Sequence, residues 1–444
     1  MDEQFKIKGK IVIKGKIKTK SPLHIGCGSE ERSDKDILLD SDGKAFIPAT
    51  ALIGVLNHAI IRNDDHYKQN LKKFWGFAHE KEGKQSSIRC SDLTCLAESP
   101  RSIRDGIAID NKTGMVKPKK KYDYEMLERN SLFEMKMEFT FTDEDESFVK
   151  QMAATIFALL ASGDLQIGAK TNNGMGKIQL CKDGSKIYLF DFTKKIDVYN
   201  WLAQQSPPAN EIKFELLGTP LQAKINSFRI EATLELKNSI IIKSYPNDPA
   251  MPDAVHIRSL DDPVLTGSSV KGAIRARAER IVKTLKKSDT IVKNLFGDVD
   301  ENSDVKKAKK GKVRVHEIVM PRFVAELQNR IKIDRFTGGT IEGALFDSMP
   351  LFQDASKKAI QLIIEVPNCK DAEAGLLLLV LKDLWTGDVA IGGEKNVGRG
   401  VFKGTIASIN WNNEQFVLND DFSKMPLTTR EGLQNLVTAF NREV

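Results

Sequence analysis

The chain lacks any long apolar run. Its longest, residues 375–381, falls far short of the ~20 residues that span a bilayer. Cysteine is scarce: Cys27, Cys90, Cys95, Cys181 and Cys369 are odd in number and scattered, which excludes a disulfide framework and reads as reduced, mostly buried thiols. Cys90 and Cys95 have no second pair at finger spacing, so zinc is a minor expectation. The six histidines form no Ser-His-Asp pattern. His24 alternates with apolar residues and reads as structural. His256 lies in an acidic stretch, where a surface role outweighs assistance to catalysis. His58 falls on the first helix. No GxxxxGK[ST] loop and no HD or GGDD motif is present, which argues against ATP hydrolysis and nucleotide cyclisation. The opening residues have no apolar core of the kind a signal peptide needs, so a cytoplasmic location is expected.

What is present is an ordinary globular composition, 41% hydrophobic and 29% charged, over 444 residues, enough for two or three domains. The net charge of +7 comes from local Lys/Arg clusters and suits an acidic partner such as nucleic acid. The sequence also repeats itself. AFIPATALIG (45–54) answers PVLTGSSVKG (263–272); FWG (74–76) answers LFG (295–297). IDNKTG (109–114) answers IDRFTG (333–338), and GDLQIGAKTNNGMGK (163–177) answers GDVAIGGEKNVGRGV (387–401). The offset stays between 218 and 224 residues, so the chain reads as two units, 1–215 and 216–444, joined through the exposed stretch 206–210. The tails near 190 and 421 also look alike.

Within each unit the periodicities give the same element order. Residues 5–20 alternate lysine with isoleucine, a half-buried strand with a basic face; 228–237 alternate likewise, with glutamates. Helices are expected over 50–62 and 268–286, strands over 132–141 and 359–366, helices over 144–162 and 371–386, and short strands over 176–181 and 400–409. A polar, turn-rich insertion (about 78–130 and 298–345) follows the first helix of each unit. This order predicts an α+β fold of two tandem ferredoxin-like (RRM-like) domains.

GSSVKGAIR (267–275), LFG (295–297), IDRFTGGTIEGALF (333–346) and IGGEKNVGRG (391–400) resemble the RAMP superfamily of CRISPR-associated proteins, and within it the backbone family called Cas-seven in type III systems. The first unit matches more loosely. Two copies in one chain resemble the fused double backbone subunit of type III-D systems.

Several constellations carry candidate chemistry. The glycine-rich loops let a phosphate chain approach closely, with Lys170, Asn172, Asn173, Gly174 and Lys177 in one and Lys395, Asn396 and Arg399 in the other. A single such loop reads as a tight turn; two equivalent, donor-rich ones point to RNA. The helix starts at Thr50 and at Ser268 and Ser269, with Lys271 and Arg275 following, form a second anion-binding candidate. Arg277 is equally well a solvated residue. The resemblance implies that each insertion is a thumb-like hairpin wedging into a guide–target duplex, with Met115, Val116 and Ile341 as apolar tips and Arg335 as an RNA contact. It further implies a catalytic aspartate in the acidic loop after the first strand. Asp34 aligns best, with Asp36 the near miss; in the second unit Asp253 aligns after a one-residue gap, with Asp248 the alternative. A free aspartate titrates near ~3.9, low for a base at neutral pH. Asp34 is therefore read as a ligand for Mg2+ or another divalent metal, or as a group orienting the attacking 2′-hydroxyl. The expected partners are guide RNA, target RNA and other type III effector subunits, with no membrane. The rivals are an inert structural backbone, a guide-RNA-processing endonuclease of the same superfamily, and an unrelated RNA-binding protein with two ferredoxin-like modules.

Overall fold

The computed structural model describes residues 6–28, 31–60, 65–79, 82–110, 113–221, 227–246, 248–299, 308–320, 323–354, 359–412, 414–420 and 425–443. The chain forms two compact units. The first holds residues 1–106, 122–171 and 175–224, and the second 107–121, 172–174 and 225–444. The division falls after 224 rather than after 215, because residues 211–217 complete the first unit: Glu211–Ile212 adds an edge strand, and Leu217 is buried in its core.

In the first unit the lysine–isoleucine alternation forms β1 (Gly9–Thr19). Ile11, Ile13 and Ile17 turn inward, while Lys10 and Lys14 line the other face with Val12 between them. β1 lies at the centre of an antiparallel sheet with β2 (Ile88–Cys90), β3 (Leu132–Phe141), β4 (Ile178–Asp191) and β5 (Glu211–Ile212), in the order β5-β4-β1-β3-β2. Helices α1 (Ala49–Ile60), after β1, and α2 (Glu146–Ser162), between β3 and β4, cover one face. Leu52 and Leu56 of α1 and Val149, Met152 and Ile156 of α2 meet the isoleucines there. Gly163 ends α2 in the left-handed conformation, φ 76°.

The second unit repeats the plan. β6 (Ser227–Leu236) is central, with β7 (Arg314–Val315), β8 (Ala359–Pro367), β9 (Phe402–Trp411) and β10 (Glu414–Asn419) in the order β7-β8-β6-β9-β10. Its covering helices are α3 (Gly267–Thr284) and α4 (Asp371–Thr386). Setting aside the extra edge strands, both sheets read fourth–first–third–second, the ferredoxin-like order.

The tails do not match, contrary to their likeness in sequence. After β4 the short helix Lys195–Leu202 lays Trp201 on the open face of the first sheet, against Val12, Tyr188 and Phe190. After β10 the longer helix α5 (Leu427–Arg442) instead packs on α4 and buries Leu436 and Phe440. Gly375 of α4 allows that approach, since a Cβ there would stand 2.1 Å from the Leu436 carbonyl oxygen.

Candidate nucleic-acid interface and acidic pair

Each insertion contains a β-hairpin, Arg101–Ile109 with Val116–Leu127 in the first repeat and Gln328–Ile333 with Thr340–Met349 in the second. The base of each hairpin runs beside the acidic loop. In the first unit the Asp34 N–H donates to Asp123 Oδ1 (2.7 Å) and the Asp123 N–H donates to Asp34 Oδ2 (2.9 Å). In the second unit the Asp253 N–H donates to Asp347 Oδ1 (2.6 Å) and the Asp347 N–H to Asp253 Oδ2 (3.2 Å). Asp34 and Asp253 therefore occupy equivalent positions, and each, itself exposed, pairs with a half-buried aspartate. One oxygen of every carboxylate, Oδ1 of Asp34 and Asp253 and Oδ2 of Asp123 and Asp347, has no hydrogen-bond partner among the described residues. Sequence reasoning missed Asp123 and Asp347, which lie 89 and 94 residues from their partners. In the sequence Asp123 is one of three acidic residues, with Glu125 and Glu128, closing the first insertion, and Asp347 lies just past the second, so neither stands out.

The alternative aspartates do not share this geometry. Asp36 is buried, and its carboxylate organises the loop, accepting from the N–H groups of Glu31, Arg32 and Ser33 and from the Ser33 hydroxyl at 2.8–3.1 Å. Burial alone would raise its pKa, but those donors, led by the Arg32 N–H, hold it down at about 2. Two positions beyond Asp253 stands Val255, so this carboxylate is not repeated. Asp248 is exposed and closes a turn by accepting from the Ala250 N–H. His256 is buried rather than superficial. Its Nδ1 accepts from the Ile242 N–H (3.2 Å), so Nε2–H donates to the Val264 carbonyl (2.9 Å). Burial pushes its pKa down to about 4 against the pull of the bond to the Val264 carbonyl, and it stays neutral near pH 7. His24 is buried as expected, with Nδ1 2.6 Å from the Glu125 carbonyl oxygen.

In each glycine-rich loop one glycine is required by the loop's own packing. A Cβ on Gly176 or Gly400 would lie 1.9 or 1.8 Å from the Ile167 or Ile391 carbonyl oxygen, at φ 78° and 73°. The position after Ala169 and Gly393 is left-handed in both units although it is not glycine: Lys170 (φ 57°) and Glu394 (φ 54°). Lys170 lies over the Tyr122 and Tyr124 rings (4.5 and 3.9 Å) and donates to the Tyr122 hydroxyl (2.9 Å), next in sequence to Asp123. Glu394 is instead ringed by Arg399, Arg330 and Lys243 at 2.8–3.2 Å. Arg399, expected on RNA, is buried and also donates to Ser239 and Gln328. Its guanidinium is occupied within the protein. Lys177 lies near Asp164 (3.8 Å). Lys395 and Asn396 are exposed, and Asn172, Asn173 and Gly174 form a short turn that groups with the second unit.

At the helix starts, Thr50 is exposed in the first turn of α1. α3 already begins at Gly267 with Thr266 at the cap position, so Ser268 and Ser269 are its second and third residues. The Thr266 hydroxyl donates to Ser269 Oγ (2.9 Å). Lys271 is half-buried, and burial, with Arg275 and Lys310 nearby, lowers it to about 8. Arg275 pairs with Glu279 (2.8 Å), and Arg277 with Asp383 (2.5 Å).

Both hairpin tips use one turn: the Asp110 and Asp334 carbonyls accept from the Gly114 and Gly338 N–H. Met115, Val116, Arg335 and Ile341 are all exposed. Among the described residues the most exposed apolar side chain is one the sequence pattern did not single out, Phe336 at 99%. Asp334 Oδ1 accepts from the Phe336 and Thr337 N–H groups (2.8 Å each) and fixes the tip. Among the described residues no three or more His, Cys, Asp or Glu side chains cluster to hold a metal, and no helix is long and apolar enough to cross a membrane.

A comparison with curated proteins returned no match. The family model of the RAMP superfamily matches residues 16–179 and again 233–403, one match on each repeat. These matches cover most of the chain, and with the doubled ferredoxin-like sheet they mean that it belongs to the RAMP superfamily as a tandem of two units.

Proposed function

We propose that the chain is a guide-RNA-binding, Cas-seven-like backbone subunit of a type III CRISPR effector complex, fused in tandem as in type III-D systems, and that its first unit cuts the target RNA paired to the guide. RAMP membership suggests a type III CRISPR-associated subunit, working with RNA and with other effector subunits. A cytoplasmic location follows from that role. The observation that carries the cleavage reading is the Asp34–Asp123 pair, with Asp34 exposed, at the foot of a hairpin with an apolar tip.

RNA is cut by its own 2′-hydroxyl. The 2′-hydroxyl gives up its proton to water as its oxygen attacks phosphorus in line with the departing 5′-oxygen; the 2′-O–P bond forms, the P–O5′ bond breaks to leave a 2′,3′-cyclic phosphate, and the 5′-oxygen takes up a proton from water. Much of the rate comes from holding the nucleotide in that geometry. A hairpin that splays one base out of the duplex suits this, and exposed Ile103, Ile107 and Ile109 give the first hairpin an apolar flank. The hard oxygens of Asp34 and Asp123 fit Mg2+, which needs only one or two carboxylates when phosphate and water complete its shell. Bound there, the ion supplies charge neutralisation at the phosphate oxygens. Asp34 orients the attacking hydroxyl, and Lys170, with Lys35 also over Tyr122 at 5.7 Å, keeps positive charge beside the scissile phosphate. In the second unit Glu394 stands where Lys170 would, bound up by three cations. The second unit therefore serves as scaffold.

The test is a guide-loaded complex with end-labelled complementary RNA in Mg2+. Asp34→Ala and Asp123→Ala each erase the same product band and leave guide binding intact, while Asp253→Ala leaves the ladder unchanged. A 2′-deoxy nucleotide at the cut position blocks that band. Cleavage surviving both first-unit substitutions would leave the chain a structural backbone.

A further inference from the structure

The face of the first sheet turned away from α1 and α2 is only half covered by the helix Lys195–Leu202. Beside that helix lies a cavity of about 300 Å3, at the lower end of what small-molecule sites occupy. Its lining is neither a plain apolar gap nor a simple basic patch. Lys14, Arg89 and Lys136 face it, with Glu138 as the single carboxylate. Glu138 is held by Lys136 (2.8 Å) and Lys10 (3.6 Å), so the lining keeps a positive excess. Lys14 gives one proton to Ser206 Oγ (3.0 Å) and has two left. The Arg89 guanidinium is exposed and makes no hydrogen bond or close ion pair among the described residues. The side-chain amides of Gln204 and Gln205 reach the rim, equally unengaged among the described residues, and Trp201, packed over the buried Phe190, gives an apolar wall. In the second unit α5 packs on α4 instead, so among the described residues this construction belongs to the first unit.

We infer that this cavity binds a nucleoside 5′-monophosphate, either as a free nucleotide or as the phosphorylated end of an RNA. The phosphate suits Arg89, Lys14 and Lys136, since a planar guanidinium and two ammonium groups supply charge-assisted donors. The lone carboxylate suits ribose hydroxyls. The two amides both donate and accept, as the edge of a base does, and the base lies against the Trp201 wall. Inorganic phosphate would use the cations and leave the amides and the wall without a partner. The site is remote in chemistry from the acidic pair, and the inference does not depend on cleavage.

The experiment titrates the full chain with 5′-AMP, adenosine, inorganic phosphate, and an RNA trinucleotide with or without a 5′-phosphate, by calorimetry and by tryptophan fluorescence, because Trp201 lines the cavity. The 5′-monophosphates bind saturably below millimolar concentration and more tightly than adenosine or phosphate. Arg89→Glu weakens binding by about tenfold or more, as expected for losing a charged donor. Gln205→Ala gives a smaller loss. Both residues are exposed, so the melting temperature holds, and Asp34→Ala binds as wild type does. Binding of the 5′-phosphorylated trinucleotide but not of AMP assigns the site to an RNA end; binding of both assigns it to the free nucleotide as well. If phosphate alone binds as tightly as AMP, if no 5′-monophosphate saturates, or if Arg89→Glu leaves the affinity unchanged, the inference is overturned.

Discussion

His256 and Asp36 are two titratable residues in acidic loops, and both serve the fold. His256 has its pKa pushed down to about 4 by burial, from an unfolded value near ~6.5. The folded state refuses a proton that the unfolded state takes, so its contribution is whole above about pH 6.5 and is lost as pH falls toward 4. The loss reaches about 3 kcal/mol at pH 4. Denaturant midpoints of wild type and His256→Gln measured from pH 7 to pH 4 test this: the wild type declines more steeply across that window, and parallel curves would refute it. Asp36 works in the same direction at lower pH, since its carboxyl is held at about 2 and its support for the loop is lost as pH falls from about 4 toward 2. The sequence could not separate Asp34 from Asp36, because both are aspartates in one short loop. Only burial and donors distinguish an organising carboxylate from an exposed one.

At the scale of elements, the hairpins were legible and their tips were not. The Ile-Asp-x-x-Thr-Gly signature marks the turn in both repeats, because Asp accepts from the N–H groups ahead of it and Gly takes the left-handed position. Choosing the tip by apolarity gave Ile341, which is only 37% exposed, whereas the turn projects Phe336 into solvent. An aromatic so exposed on a hairpin is suited to stack on a splayed base, worth ~1–3 kcal/mol. Phe336→Ala is expected to weaken guide–target duplex binding by the assembled complex roughly tenfold with unchanged circular dichroism, whereas Phe336→Trp retains the affinity. Equal affinity for the alanine variant would remove Phe336 from the interface.

For the whole molecule, a net charge of +7 carried in local clusters means that, on the proposed RNA-binding role, phosphate contacts should dominate the affinity. The logarithm of the association constant is expected to fall linearly with the logarithm of salt concentration, with a slope of about −0.7 for each phosphate neutralised on single-stranded RNA. Measured with guide RNA between low and physiological salt, a slope near zero would contradict the electrostatic account. The duplication is also a property at this scale. Four sequence blocks recurring at a nearly constant offset specify two units, and both fold into the same strand order.

The sequence by itself determined the repeat, the ferredoxin-like element order and the acidic loops, because periodicity and turn chemistry are local and each copy checked the other. It did not determine which carboxylates meet. Asp123 joins Asp34 across 89 residues, and Asp347 joins Asp253 across 94, through backbone geometry that exists only once hairpin and loop lie side by side. Nor did it reveal that Arg399 is buried against Glu394, that two similar tails pack on different surfaces, or that one of them frames a cavity. These are matters of burial and long-range contact, which tertiary packing alone decides.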